Sequence, residues 1–238
     1  MPVNLFGLAP DFDSINAIAQ ANDLFVLEDT AQGFGGEYKG RISGSLGDVS
    51  ATSFFPAKPL GCYGDGGAVF TSDDALAAKI KSLRVHGQGV DKYDNVRIGM
   101  NARMDTIQAA ILMPKLAVFS EEIELRQQVA QSYTDALQGL VETPYVPEGY
   151  KSVWAQYTVM TDQRDMIQSA LKENDIPNVV YYRIPCHLSD AFSDLGYKKG
   201  DMPVSEAASA RVFSLPMHPY VKADLAEKVA DIIKSAIA

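Results

Sequence analysis

The chain has 238 residues, which is enough for one large domain or for a large and a small one. Hydrophobic residues make up 47% and charged residues 21% of the chain, ordinary values for a globular protein that exclude a disordered or fibrous one. The formal net charge of −9 repels phosphate backbones and anionic lipid surfaces, so we expect neither nucleic acid nor an anionic membrane as a partner.

Helices and strands alternate through the first half of the chain. Ser14 is the predicted cap of a helix that ends near Asn22, and Ser72 is the predicted cap of a later one. Between them lie three apolar runs typical of buried strands, at residues 24–27, 51–55 and 67–71. This alternation predicts an α/β fold with helices on both faces of the sheet.

The second half of the chain predicts a separate, smaller unit. An ordered loop is expected at residues 87–101, followed by a long helix at 106–140 that Pro114 kinks or divides. Residues 143–149 have the composition of a linker. The predicted elements after it are strands at 155–160 and 179–182, and helices at 165–173, 205–212 and 223–237. We therefore expect a large domain over residues 1–142 and a C-terminal α+β domain over residues 143–238.

Polar side chains follow the first two predicted strands, at the edge where open α/β sheets bind ligands. Asp29 and Gln32 follow the first strand, Ser53 lies in the second, and Lys58 comes just after it. Each residue alone has an ordinary explanation, since Asp often caps a helix and a lone Lys is usually solvated. Together, a carboxylate, a hydroxyl and a lysine are what a protein contributes to pyridoxal phosphate chemistry.

Linked short motifs carry a family resemblance. They are EDTAQ at 28–32, SFFPAKPLG at 53–61, GDGG at 64–67, NARMD at 101–105 and LPMHP at 215–219. In this order and spacing the chain resembles the DegT/DnrJ/EryC1/StrS family of sugar aminotransferases, from about residue 3 to the C-terminus. The resemblance implies the large-domain sheet of a fold-type-I pyridoxal phosphate transferase, here incomplete, with a smaller C-terminal α+β domain.

The resemblance implies a role for each matched residue. Lys58 matches the lysine that forms an imine with pyridoxal 5′-phosphate, and Asp29 matches the acid paired with the pyridinium nitrogen. Gln32 matches a residue beside the ring's 3′-oxygen, and Ser53 matches a phosphate ligand. Asn101 matches an asparagine that reaches the neighbouring subunit's cofactor, which implies a homodimer with shared active sites. Some dehydratases of this fold carry His in place of the lysine, so Lys58 favours transamination.

The substrate implied by the resemblance is a UDP-linked 3-keto uronic acid, of the UDP-2-acetamido-3-keto-glucuronic acid type. Glutamate is the expected amino donor, and the product is expected to enter cell-surface polysaccharide. A sugar carboxylate favours a guanidinium, and Arg103 lies two residues from Asn101. Tyr181 and Tyr182 match positions near the sugar, although the first is often His in that branch, and His187 is a further candidate. An ordinary ion pair for Arg103 and core packing for Tyr181 are the alternatives.

The remaining patterns exclude other chemistries. No HExxH motif, Cys–His spacing or carboxylate-rich loop indicates a metal, and helix-dipole complementarity explains Asp73 and Asp74 at a helix start. Cys62 and Cys186 lie far apart, which favours a reduced cytoplasmic protein. No apolar run reaches the ~20 residues that span a bilayer, and no secretory leader is expected.

The resemblance begins where the family's sequence is about one third complete. In the family, the earlier segment supplies sheet strands, a Gly-Thr turn at the phosphate and an aromatic residue stacked on the cofactor ring. We therefore expect either a fragment of a longer protein or a shortened natural form, and weak cofactor binding by this chain alone. The alternative is an inactive remnant that serves as a binding or interaction subunit. Intact Lys58, Asp29, Gln32 and Ser53 favour the enzyme.

Overall fold

The computed structural model describes residues 1–91 and 93–238 of the chain. Internal contacts divide the chain into two compact units. The first comprises Met1–Ile123 with Val146–Ala155, and the second comprises Glu124–Tyr145 with Gln156–Ala238. The domain boundary predicted between residues 142 and 143 stays a prediction.

The first unit contains two small sheets. Its strands are β1 (Leu27–Asp29), β2 (Glu37–Tyr38), β3 (Arg41–Ile42), β4 (Val49–Ser53), β5 (Gly67–Phe70) and β6 (Tyr150–Lys151). One sheet has the order β1-β4-β5 and the other has the order β3-β2-β6. In the first sheet β1 and β4 are parallel, whereas β5 runs antiparallel to β4. The sheet that bears the candidate site is therefore mixed.

The register of this sheet decides which side chains share a face. Asp29 of β1 pairs with Ala51 of β4, and Ser53 lies two residues further along the same strand. Because side chains alternate along a strand, Asp29 and Ser53 point to the same face. Glu28 and Thr52 belong to the opposite face, and both are buried.

Among the described residues of the first unit, three α-helices begin: α1 (Phe12–Ala21), α2 (Asp74–Leu83) and α3 (Thr106–Leu137). The buried face of the sheet is covered by a cluster that includes Phe54 of the sheet edge and Phe119 of α3. The Phe34 ring stacks on both Phe70 and Phe119, with centroid distances of 5.6 and 5.9 Å. Pro114 lies inside α3, which continues across it as one helix.

The opposite face of the sheet is more open than expected. Val69, which pairs with Ala51, is 49% exposed. This face is therefore open to solvent at β5, the edge strand of the sheet. Asp29 and Ser53 lie on this open face.

The predicted strand at residues 24–27 is wrong in position. Leu24 and Phe25 are each 61% exposed, and β1 begins only at Leu27. The backbone explains the shift, because the Leu24 N–H donates to the Ala19 carbonyl at the end of α1. The Val26 N–H donates to the Asp48 carboxylate at 2.7 Å. These N–H groups are therefore occupied outside the strand ladder.

Two predicted helix caps are also displaced. The N-cap of α1 is Asp11, whose carboxylate accepts hydrogen bonds from the backbone and hydroxyl of Ser14. The N-cap of α2 is Asp73, which accepts from two backbone N–H groups, and Ser72 lies outside the helix. A carboxylate caps a helix at least as well as a hydroxyl does, so sequence alone did not distinguish these neighbours.

The second unit is an α+β arrangement. Its elements are β7 (Tyr157–Met160), α4 (Arg164–Glu173), α5 (Pro203–Arg211), β8 (Val212–Leu215) and α6 (Leu225–Ile237). Strands β7 and β8 pair antiparallel, and all four residues of β8 are buried. From the last turns of α3, Tyr133 and Leu137 are fully buried, and the Tyr133 hydroxyl donates to the Pro216 carbonyl at 2.9 Å. Within the described residues no helix is long and apolar enough to cross a membrane.

The predicted strand at residues 179–182 is reduced to a single bridge. Val179 exchanges backbone hydrogen bonds with Ser214 of β8, at 3.2 and 2.7 Å. Tyr181 and Tyr182 lie in the turn that follows. They therefore follow a bridge rather than the end of a strand.

Candidate active site

Strands β1 and β4 end side by side, and the residue after β1 is hydrogen-bonded to β4. The Thr30 N–H donates to the Ala51 carbonyl at 2.9 Å, and the Thr52 hydroxyl donates to the Thr30 carbonyl at 3.2 Å. Asp29 is the last residue of β1 and Ser53 the last of β4, and both are half-buried. The structure therefore brings these two predicted site residues to adjoining strand ends on one face.

The backbone of Asp29 is held from both directions. Its N–H donates to the Pro2 carbonyl and its carbonyl accepts from the Asn4 N–H, both at 2.9 Å. The carboxylate accepts one local hydrogen bond, from the Ala31 N–H at 3.0 Å. The acid thus has a fixed backbone and a side chain on the open face of the sheet.

The neighbouring acid, Glu28, is fully buried and serves the fold. One carboxylate oxygen accepts from the Asn4 amide at 2.9 Å and from the Gly44 N–H at 3.0 Å. The other accepts from the Leu46 N–H at 3.0 Å. Charge-assisted hydrogen bonds from three donors satisfy a carboxylate that would otherwise be costly to bury.

Gln32 lies in the turn after β1, and its amide is oriented by the backbone. Its side-chain oxygen accepts from the Phe6 N–H at 2.7 Å. Phe6 has a left-handed conformation, with φ of 60°, and precedes Gly7. This hydrogen bond fixes the orientation of the Gln32 amide relative to the backbone of residues 6–7.

Lys58 lies on the loop that leaves β4, and its side chain is half-buried. The Lys58 N–H donates to the Phe55 carbonyl at 2.9 Å, and the Phe55 N–H donates to the Ser53 hydroxyl at 3.2 Å. Ser53 and Lys58 are thus joined by one tight turn at the end of β4. This turn is where the structure places the predicted lysine.

Asn101 and Arg103 lie together on an exposed segment that doubles back on residues 84–86. The Ala102 N–H donates to the Arg84 carbonyl at 2.9 Å, and the His86 N–H donates to the Met100 carbonyl at 3.0 Å. The Arg103 Nε donates to the Asn101 Oδ1 at 2.9 Å. The two side chains therefore lie within hydrogen-bond distance of each other, and among the described residues this bond is the contact found for the Arg103 guanidinium.

The other three predicted substrate residues belong to the second unit. The rings of Tyr181 and Tyr182 meet edge to face, with centroids 5.4 Å apart; Tyr181 is half-buried and Tyr182 exposed. His187 Nε2 lies 3.0 Å from the Glu206 Oε1, and these side chains are only 8% and 15% exposed. His187 is therefore engaged within its own unit.

Glu206 binds the loop around His187 from the first turn of α5. It accepts from the Gly200 N–H at 2.8 Å and from the Met202 N–H at 3.3 Å. The Gly200 N–H, with smaller contributions from His187 and Met202, holds the pKa of the Glu206 carboxyl below its usual value. Sequence analysis did not identify this acid, because nothing local marks a carboxylate that binds six residues upstream.

Two further residues near the lysine loop were also missed by sequence analysis. Gln108 and Lys115 of α3 bind backbone groups of the loop that follows Lys58. No local pattern in the sequence says which groups the Gln108 amide and the Lys115 ammonium bind. Across residues 1–91 and 93–238, no three His, Cys, Asp or Glu side chains gather as a metal site.

Comparison with known proteins identifies close relatives. A model of the DegT/DnrJ/EryC1/StrS aminotransferase family matches residues 1–234. Over 222 aligned residues the chain is 50% identical to the UDP-2-acetamido-2-deoxy-3-oxo-D-glucuronate aminotransferase of Pseudomonas aeruginosa. The alignment covers 93% of this chain and 61% of the Pseudomonas protein.

Solved structures agree in fold. A DegT DnrJ EryC1 StrS aminotransferase from Brucella abortus superposes with a TM-score of 0.94 at 47% identity, over 98% of this chain and 62% of that one. S. venezuelae DesV, crystallised in complex with a ketimine intermediate, superposes with a TM-score of 0.94 at 36% identity, over 98% and 63%. The chain thus spans about three fifths of the length of these relatives.

Proposed function

Because this chain belongs to the DegT/DnrJ/EryC1/StrS aminotransferase family, we propose that its complete gene product is a pyridoxal phosphate-dependent aminotransferase acting on a nucleotide-linked keto sugar. One observation carries the proposal. Asp29 and Ser53 share the open face at the adjoining ends of β1 and β4, and Lys58 lies on the turn that follows. An acid, a hydroxyl and a lysine at one sheet edge fit this cofactor.

Four residues would hold the cofactor. The Asp29 carboxylate would pair with the ring nitrogen and keep it protonated, as an acid does when water is excluded from the pair. Ser53 would donate to the phosphate, and the NH₂ group of Gln32, oriented through Phe6, would donate to the ring's 3′-oxygen. Lys58 would hold the ring covalently. The bound cofactor supplies an electron sink for the reacting carbon of the substrate.

Lys58 would have a second role as the base. When it is not bound to the cofactor, the Lys58 Nζ would carry a proton to and from the reacting carbon of the substrate. The turn between Ser53 and Lys58 supports this role because it keeps the backbone of Lys58 at the end of β4, which adjoins the end of β1 where Asp29 lies. The acid and the base then act on one small ring from neighbouring positions.

For the acceptor we propose a UDP-linked 3-keto uronic acid sugar, of the UDP-2-acetamido-3-keto-glucuronic acid type. The 50% identity to the Pseudomonas enzyme of that name supports this choice. Arg103 is the proposed ligand of the sugar carboxylate, since a guanidinium binds carboxylates in bidentate fashion and its bond to Asn101 orients it. Tyr181, Tyr182 and His187 are the proposed contacts to the sugar.

The remaining parts of the proposal concern the cellular setting. Glutamate is the proposed amino donor, the cytoplasm the location, and cell-surface polysaccharide the destination of the product. We also propose a homodimer in which Asn101 reaches the phosphate of the neighbouring subunit's cofactor. Exposed apolar side chains support such a contact, and those that flank Asn101 in the sequence include Val90, Ile98, Ile107 and Met113.

The proposal is tested by supplying the complete gene product with pyridoxal phosphate, glutamate and the UDP-linked keto sugar. Mass spectrometry should detect the amino sugar, and Lys58→Ala should form none. Arg103→Leu should lower kcat/KM roughly tenfold or more. Arg103→Lys keeps a positive charge, so its kcat/KM should fall by a smaller factor. Product formed by Lys58→Ala would contradict the proposal. An inactive wild type would instead favour the interaction subunit.

A further inference from the structure

The loop that carries Lys58 is fastened to helix α3 at its far side. The Gln108 Oε1 accepts a hydrogen bond from the Tyr63 N–H at 2.9 Å. The same amide lies against Gly64, where an added Cβ would come within 3.0 Å of its Nε2. Gln108 and Tyr63 are 45 residues apart in sequence, so this bond joins separate elements.

A second polar side chain of α3 binds the same loop. The Lys115 Nζ donates to the Gly61 carbonyl and lies 5.6 Å from the centroid of the Tyr63 ring. Its side chain is half-buried, so this ammonium group is partly withdrawn from water. A charged donor to a backbone carbonyl is a stronger anchor than a neutral one.

The two anchors lie on one stripe of the helix, with an apolar contact between them. Residues four and seven positions apart fall on the same face of an α-helix. Leu112, four residues after Gln108 and three before Lys115, is buried in a cluster with Leu60 and Cys62 of the loop. A single face of α3 therefore makes both polar and apolar contacts with residues 60–64.

The hydrogen bonds within the loop involve other backbone groups than the Tyr63 N–H and the Gly61 carbonyl, which bind the helix. The Cys62 N–H donates to the Phe54 carbonyl at 2.8 Å, and the Phe54 N–H donates to the Gly66 carbonyl at 2.7 Å. These bonds close the base of the loop on the end of β4. The Tyr63 N–H and the Gly61 carbonyl point instead to Gln108 and Lys115.

We propose that Gln108 and Lys115 are positioning residues that fix the loop carrying Lys58 and thereby the place of its amine. The positioning role rests on the proposed function of Lys58, whereas the fastening of the loop does not. Lys58 lies between the strand end and the fastened segment, so a loop released at residues 61–63 would let the amine sample more positions. Catalytic groups need placement within about 0.5 Å, which such motion would spoil.

The first test measures the fastening by amide hydrogen exchange in the complete gene product before pyridoxal phosphate is added. Gln108→Leu and Lys115→Met should each speed the exchange of the amide hydrogens of residues 60–66 about fivefold. Gln108→Glu keeps an acceptor oxygen and Lys115→Arg keeps a donor, so both should exchange as the wild type does. Gln131→Leu, on an exposed turn of the same helix, is the control. Unchanged exchange in Gln108→Leu and Lys115→Met would overturn the inference.

The second test adds pyridoxal phosphate and measures the fraction of Lys58 that borohydride converts to a phosphopyridoxyl adduct. Gln108→Leu and Lys115→Met should lower this fraction, and should lower kcat about tenfold with little change in the KM for the sugar. Gln108→Glu and Lys115→Arg should restore both. If the wild type traps cofactor and all variants match it, the positioning role is wrong. If the wild type traps none, the proposed function fails and the role falls with it.

Discussion

Glu28 and Asp29 are adjacent carboxylates with opposite surroundings. Glu28 is fully buried, and its carboxylate accepts hydrogen bonds from Asn4, Gly44 and Leu46. Within the part of the chain that the structure describes, the Asp29 carboxylate accepts one hydrogen bond, from the nearby Ala31 N–H. The alternation of side chains along β1 produces this contrast, because consecutive residues face opposite sides of the sheet. One acid therefore secures the strand that carries the other.

Replacing the buried acid should test this division. Glu28→Gln places an NH₂ group against backbone N–H donors, since either orientation of the amide faces at least one of them. We expect a loss of about 1.5–3 kcal/mol in the free energy of unfolding, measured by urea denaturation. Glu148→Gln, at an exposed site of the same unit, is the control and should change little. Equal stability of the two variants would contradict the account of Glu28.

The candidate site was predictable where it depends on strand ends, and less so where it depends on distant contacts. Asp29 follows one apolar run and Ser53 lies within another, so their place at a sheet edge could be expected from the sequence. The roles of Gln108 and Lys115 could not, because their partners lie 45 and 54 residues away. A sequence pattern shows only local periodicity, and hydrogen bonds between residues so far apart do not change that periodicity.

At the scale of elements, long periodic segments were predicted best. The apolar stripes of α2, α4 and α6 span ten or more residues each, enough to show a helical period. Strands β2, β3 and β6 have two residues each, which carry no period. Strand β8 was missed because it follows α5 without a turn residue and is buried throughout, so its side chains do not alternate in polarity.

The Glu206 carboxylate binds backbone N–H groups of the loop before α5, so the stability of this loop should depend on pH. The Gly200 N–H, together with His187, lowers the pKa of Glu206 below its ordinary 4.5, so the folded state binds fewer protons there than the unfolded state. Its stabilising effect is therefore complete above about pH 4.5 and is lost as the pH falls through the lower, folded-state pKa.

The corresponding experiment compares the wild type with Glu206→Gln. Thermal unfolding should show the variant less stable at neutral pH, and the difference should shrink as the pH falls below about 4.5. Glu227→Gln, an exposed acid in the first turn of α6, provides a control without these loop bonds. A difference that stays constant across the acid range would show that Glu206 does not act through its charge.

At the scale of the whole molecule, α3 contributes to both compact units. Its residues up to Ile123 belong to the first and those from Glu124 onward belong to the second. In the second unit, Tyr133 and Leu137 are fully buried, and the Thr134 and Tyr157 hydroxyls lie 2.8 Å apart. A linker composition at residues 143–149 does not reveal this dependence on the preceding helix.

Fragments of the chain test where the second folding unit begins. Residues 124–238 include Tyr133 and Leu137, whereas residues 143–238 lose both, and each large buried side chain lost costs about 2–5 kcal/mol. We expect the longer fragment to unfold cooperatively by circular dichroism and the shorter one to be largely unfolded. Equal melting of the two fragments would support the boundary predicted between residues 142 and 143.

We propose that Asp29 and Lys58 hold one cofactor ring between them. The most direct measurement is mass spectrometry of the complete gene product after incubation with pyridoxal phosphate and borohydride reduction. The account predicts a phosphopyridoxyl group on Lys58, in lower yield when Asp29→Asn removes the charge opposite the ring nitrogen. A group attached to a different lysine, or a yield that Asp29→Asn leaves unchanged, would contradict it.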